Sequence, residues 1–149
     1  MKASIRIVTL AAALFVGLFT ASAADKHAHK ATPKGGRLLD KTEPHAELVV
    51  EKDRSVTIHF YNDEMKPVAA TSQNVTVIAD AKSGKATLQF EKKGDSLVSK
   101  TKLPEGEGYN VVVQFKQTAD AKPQNIRFTL DLHTCGGCKR AEYACTCDH

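Results

Sequence analysis

The feature that most constrains this chain is the crowding of its cysteines. All four lie at the C-terminal end, in His133-Thr134-Cys135-Gly136-Gly137-Cys138 and then Cys145-Thr146-Cys147-Asp148-His149. The spacing reads C-x2-C-x6-C-x-C, with His133 and His149 two residues outside it on either side. Free cysteines scatter through cores as small hydrophobes, so this concentration needs a chemical reason. A thiolate metal site and a pair of disulfides both supply one. Soft sulfur suits Zn(II) or Cu(I), and Cys135, Cys138, Cys145 and Cys147 are the candidate ligands, with His133 and His149 as further nitrogen donors. Disulfides would link the two halves of the motif, because a direct Cys145–Cys147 bridge is geometrically strained. A redox C-x-x-C wants its first cysteine at a helix N-terminus, and Gly136-Gly137 starts a helix poorly.

The N-terminus bears on that choice. Lys2 and Arg6 precede an uncharged apolar run, Ile7 to Thr20, and the small residues Ala21-Ser22-Ala23 follow. This is the layout of a cleaved export signal over residues 1–23, and the run is short for a membrane span. The mature protein is expected in a periplasm or secreted, with no stable membrane insertion. An oxidising compartment favours disulfides over free thiols. The signal takes Lys2 and Arg6 with it, so the small formal excess of +4 shrinks further, and nucleic acid is not an expected partner.

Residues 24–36 (ADKHAHKATPKGG) are polar, without apolar periodicity, and read as a flexible arm holding His27 and His29. The small-residue rule permits cleavage after Ala23 or after Ala24. The later cut would begin the chain Asp25-Lys26-His27. A free amine, two backbone nitrogens and the His27 imidazole would then offer Cu(II) or Ni(II) a nitrogen plane.

From residue 37 to residue 132 the chain alternates. Ala46, Leu48 and Val50 share one face; so do Val56, Ile58 and Phe60; then Val75 and Val77; Ala86, Leu88 and Phe90; Tyr109, Val111, Val113 and Phe115; and Ile126, Phe128, Leu130 and Leu132. Period two with β-branched and aromatic residues predicts half-buried strands. Lys52-Asp53-Arg54, Ser83-Gly84, Lys93-Gly94-Asp95, Pro104-Glu105-Gly106 and Lys122-Pro123 supply the turns. No long helical period intervenes, so an all-β, antiparallel β-sandwich of immunoglobulin-like architecture is expected, with a small closed barrel as the alternative. Residues 133–149 form the cysteine-rich tail.

The first hairpin offers a third ligand patch. Its tightest register sets Glu47 opposite His59 and His45 opposite Tyr61, while one step looser sets Val49 opposite His59. Either register puts His45, Glu47 and His59 on one outward face, as a metal site or as a plain polar surface. No G-x-S-x-G, phosphate loop or H-E-x-x-H occurs, so a binding protein rather than an enzyme is expected.

The segment Pro33-Lys34-Gly35-Gly36-Arg37-Leu38-Leu39, followed by Ala46-Glu47-Leu48, Phe60-Tyr61 and Lys66-Pro67-Val68, resembles a known family. It is similar to the N-terminal region of periplasmic adaptor subunits of heavy-metal efflux pumps of the cobalt–zinc–cadmium type. Those carry His-Gly-Gly-Arg-Leu where this chain has Lys34-Gly35-Gly36-Arg37-Leu38, so the histidine is replaced. The resemblance implies a stand-alone relative of that small β-domain, lacking the adaptor's helical hairpin and lipoyl-like domains. A periplasmic efflux component is the partner it suggests, and zinc or copper handling the setting.

Overall fold

A computed structural model describes residues 31–39 and 41–147. The expected export signal over residues 1–23, the histidines His27 and His29, and His149 lie outside the described residues. Nine strands follow in order: β1 Arg37–Leu39, β2 His45–Val50, β3 Val56–Tyr61, β4 Pro67–Val68, β5 Asn74–Ala81, β6 Gly84–Lys93, β7 Ser96–Ser99, β8 Gly108–Lys116 and β9 Gln124–Asp131. A 3-10 helical turn, Glu142–Ala144, follows in the tail.

Every strand pairing is antiparallel, as the alternation predicts. The architecture is one continuous sheet in the order β1-β2-β3-β7-β6-β5-β8-β9, with β4 pairing the end of β3 at Phe60 and Tyr61, beyond the stretch that β7 occupies. It curls into a nearly closed barrel, the alternative arrangement, in place of two separate stacked sheets. The strand responsible is β6. Its first half pairs with β5, from Ala81 opposite Gly84 to Thr76 opposite Gln89; its second half pairs with β7, from Phe90 opposite Ser99 to Lys93 opposite Ser96. One strand thereby turns the corner between the two halves of the wall.

The interior is filled by the alternating residues read from sequence. Leu48, Val56, Ile58, Phe60, Val77, Leu88, Val111, Val113 and Leu130 are all buried in one core. Each such side chain contributes about 1.5–3 kcal/mol on leaving water. The rings of Phe60 on β3 and Phe115 on β8 meet at 6.4 Å, joining strands far apart in the sheet. At one mouth, Tyr109 and Arg54 tie the loop before β8. The Tyr109 hydroxyl donates to the Pro104 and Gly106 carbonyls, and Arg54 Nη1 reaches those carbonyls and the hydroxyl.

The outer face of the β2–β3 hairpin is covered rather than exposed. The pairing takes the tightest register, His45 with Tyr61 and Glu47 with His59. Residues 32–36, expected to be the end of a flexible arm, instead fold over it. Thr32 Oγ1 donates to the Gly36 carbonyl at 2.7 Å and Gly35 N donates to the Thr32 carbonyl at 3.1 Å. Glu47 is fully buried beneath this turn, at 0% exposure. Its carboxylate accepts from the backbone N–H groups of Lys34 (3.1 and 3.2 Å) and Gly36 (2.7 Å) and from the Tyr61 hydroxyl (2.7 Å). Burial, then that bond to Glu47, raises the Tyr61 pKa. Gly36 has to be glycine, since a Cβ would collide with the Leu48 carbonyl oxygen and the Val49 side chain.

Removing a buried acceptor strands its donors, at a cost of about 3 kcal/mol for this set. Glu47→Ala is therefore expected to lower the urea unfolding midpoint strongly while leaving metal uptake by the cysteine tail intact. A variant that unfolds like the parent protein would show that Glu47 does not anchor the 32–36 turn.

Candidate metal centre

Strand β9 runs out at Asp131, and the chain beyond it makes a tight loop. An isolated antiparallel bridge joins Thr134 to Ala141, and the Glu142 N–H donates to the His133 carbonyl at 2.8 Å. Inside this bridge the Cys135 N–H donates to the Arg140 carbonyl (2.7 Å) and the Lys139 N–H to the Cys135 carbonyl (3.1 Å). Lys139 sits at φ 62°, a left-handed turn immediately after Cys138 that brings the chain back. The result folds Cys135 and Cys138 around a small knuckle and points both sulfurs at the returning segment.

That segment is fixed by the barrel itself. Strand β1 is three residues long and pairs with β2 only from Ala46 to Leu48, leaving Val50 without a strand partner on that side. The Val50 N–H donates instead to the Tyr143 hydroxyl at 3.0 Å, and Tyr143 and Ala144 are buried in the core. Arg37 of β1 donates to the Tyr143 carbonyl at 3.4 Å and stacks over the Phe128 ring of β9 at 4.4 Å. The 3-10 turn thus occupies the seam between β1 and β9, the two ends of the sheet. Cys145 and Cys147 follow it directly.

The four sulfurs converge. All lie within 4.8 Å of one another, and this is the sole group of three or more potential ligands gathered so closely among the described residues. Cys135–Cys145 is 3.2 Å, Cys138–Cys145 3.6 Å and Cys135–Cys147 3.9 Å. A tetrahedral Zn(II) site with bonds of about 2.3 Å has sulfurs about 3.8 Å apart. No disulfide joins them, and these separations are well beyond a bond of about 2.05 Å.

Their electrostatics describe a site short of positive charge. Cys138 has its pKa lowered, first by the backbone N–H of Thr146 and then by that of Arg140. Cys145 gains from the Cys147 N–H, at 3.3 Å, but the neighbouring Cys135, Cys138 and Cys147 thiols and burial outweigh it and push it up to about 12. For Cys147 the Cys145 thiol acts downward, and Cys138, burial and Cys135 together prevail upward. Four sulfurs this close cannot all ionise beside one another without a cation among them. A bound dication would remove that penalty and take all four as thiolates.

The other expected ligands are placed differently. His133 is exposed, with Nδ1 2.7 Å from Asp131 Oδ1 and Nε2 2.7 Å from Glu107 Oε2. Both ring nitrogens face carboxylates, and its pKa is raised by the Asp131 hydrogen bond and then by Glu107. His45 faces Asp63 at 3.6 Å. Glu47 is committed to backbone amides and Tyr61. His59 lines a cleft of about 330 Å³ with Lys34, Pro67, Val68, Asp95 and Ser96, and its Nδ1 meets Ser96 Oγ at 2.9 Å. The hairpin face therefore holds His45, Glu47 and His59 without gathering them as a ligand set. Sequence reasoning missed Tyr143, whose only signal was a lone aromatic between two cysteine pairs.

No known protein family, curated protein or solved structure matches this chain. Among the described residues no helix is long and apolar enough to cross a membrane.

Two expectations follow from this geometry. Metal supplied at 100 times its Kd should stabilise the fold by about 2.7 kcal/mol, and a chelator with reductant should reverse the gain; an unchanged melting temperature would separate the tail from the barrel. Burial depresses the His59 pKa below 6.5. The unfolded chain then binds the proton first, so stability should fall as pH drops through that value. His59→Gln should flatten this part of the urea-midpoint profile.

Proposed function

We propose that this chain is an exported transition-metal-binding protein whose Cys135, Cys138, Cys145 and Cys147 hold one metal ion, Zn(II) in preference to Cu(I). The observation that carries the reading is the convergence of four sulfurs within 4.8 Å on a loop braced by the barrel. Four thiolates suit the tetrahedral preference of Zn(II). The amide bonds to Cys138 and Cys145 offset part of the anionic charge of such a centre, and a dication leaves less of it uncompensated than Cu(I) would.

Export is supported by the basic, apolar and small-residue order of residues 1–23. Outside the cytoplasm thiols pair unless a metal reaches them, so loading protects the quartet. The likeness of residues 33–68 to efflux-pump adaptors supports a place in metal homeostasis or efflux, with an envelope efflux component as partner. A second reading, an interaction module stapled by disulfides, is favoured by that same compartment and by the 3.2 Å approach of Cys135 to Cys145.

Thiol titration and elemental analysis of protein purified from the exported fraction separate the two. The metal reading expects one equivalent of metal, and four alkylatable thiols after chelation. Co(II) substitution should then give thiolate charge-transfer bands and tetrahedral d–d bands. Four blocked thiols without metal would establish the stapled module instead.

A further inference from the structure

The four sulfurs are unequally covered. Cys135 is 0% exposed and Cys145 6%, whereas Cys138 and Cys147 are half-buried. The cover on the outer side is the Gly136-Gly137 backbone. Neither glycine has a positive φ, so the chain path does not call for glycine at either position. Gly137 is explained by space: a Cβ would stand 2.9 Å from Cys147 Sγ and 3.9 Å from Cys135 Sγ. Gly136 is not explained even by that, because a Cβ there would meet nothing within 4 Å. The half-buried Cys138 and Cys147, with no Cβ on Gly137 to stand against Cys147, leave one sulfur edge open to solvent. Beside the opening, Lys139 Nζ donates to the Gly136 carbonyl at 2.8 Å, which puts an ammonium at the rim.

Building on the metal-site reading, we propose that the edge formed by Cys138 and Cys147 beside Gly137 is the port through which the metal passes to or from a thiol-bearing exchange partner. Soft metals change hands between sulfur ligands readily when the incoming sulfur can reach them before the old bond breaks. Lys139 favours ionisation of the incoming thiol as it reaches the rim. The step is a swap of ligands: the incoming thiol gives up its proton as its sulfur bonds the metal, and the leaving cysteine sulfur takes a proton. Nothing is oxidised or reduced.

The order of departure follows from the surroundings. Cys138 is held by the Thr146 and Arg140 amides, while Cys147 is half-buried against a glycine. Cys147 leaves first, and Cys135 and Cys145, the enclosed pair, leave last. The quartet is thus a holder with two fixed jaws and two movable ones.

The test follows transfer from the Zn(II)-loaded full chain to a small dithiol, read by the metal's appearance on the dithiol. Transfer should be first order in dithiol, and Gly136→Leu, which adds bulk on the open side of the Cys135–Cys138 loop, should slow it by about tenfold while equilibrium affinity stays within about twofold. Lys139→Glu should also slow transfer to an anionic dithiol. An N/O-donor chelator too large for the port should extract metal at a rate independent of its concentration. A transfer rate independent of dithiol, or Gly136→Leu and Lys139→Glu both exchanging at the parental rate with unaltered affinity, would overturn the port. Purified protein that takes up no metal would instead overturn the metal site, and the port with it. Should Gly136→Leu misfold, the dithiol dependence of the parent chain and the Lys139→Glu rate decide the question.

Discussion

A sheet curled back on itself has to do something with its two outer strands, and the rest of this molecule depends on how that is done. Strand β1 is three residues long and lacks the length to accompany β2 to its end, while β9 finishes the sheet on the other side. Open edges of this kind invite pairing with other chains. Here Tyr143 enters the gap, takes the Val50 N–H on its hydroxyl and buries its ring in the core. Arg37 and Phe128 bring the two rims together over it. The cysteines are positioned because this plug is positioned, so the chemistry of the tail is inherited from a packing problem in the barrel.

A second buried polar group answers a similar need where the chain enters β1. Glu47 gathers two backbone amides and a phenol, and in doing so holds the 32–36 turn across the hairpin. A carboxylate that would otherwise accept from water becomes the point around which an otherwise irregular segment is ordered. Both ends of the described chain are therefore anchored to the same hairpin, one through Glu47 and the other through Val50.

The strands were readable because burial on one face imposes period two, and sets such as Tyr109, Val111, Val113 and Phe115 display it over enough residues to be unmistakable. Strands β1, β4 and β7 were not, since two to four residues carry no period. Barrel or sandwich turned on β7, which meets β6 across the Gly94-Asp95 turn but joins β3 through a pairing that local sequence does not encode. From sequence Glu47 reads as an outward residue, ligand or plain polar surface, because its cover, Lys34-Gly35-Gly36, has the composition of a linker. The quartet itself was plain from cysteine spacing alone. Whether its sulfurs stood at bonding or ligating distance was not, because that depends on Tyr143 and on the left-handed turn at Lys139.

The placement of the plug has a thermodynamic corollary. If a bound ion steadies the segment that seals β1 against β9, the seal must return the same free energy as affinity for the ion, since such coupling is reciprocal. A protein that gripped either rim strand and drew it outward would weaken the ion's hold without touching a sulfur. Contact at the wall and custody of the metal are, in this architecture, two readings of a single equilibrium.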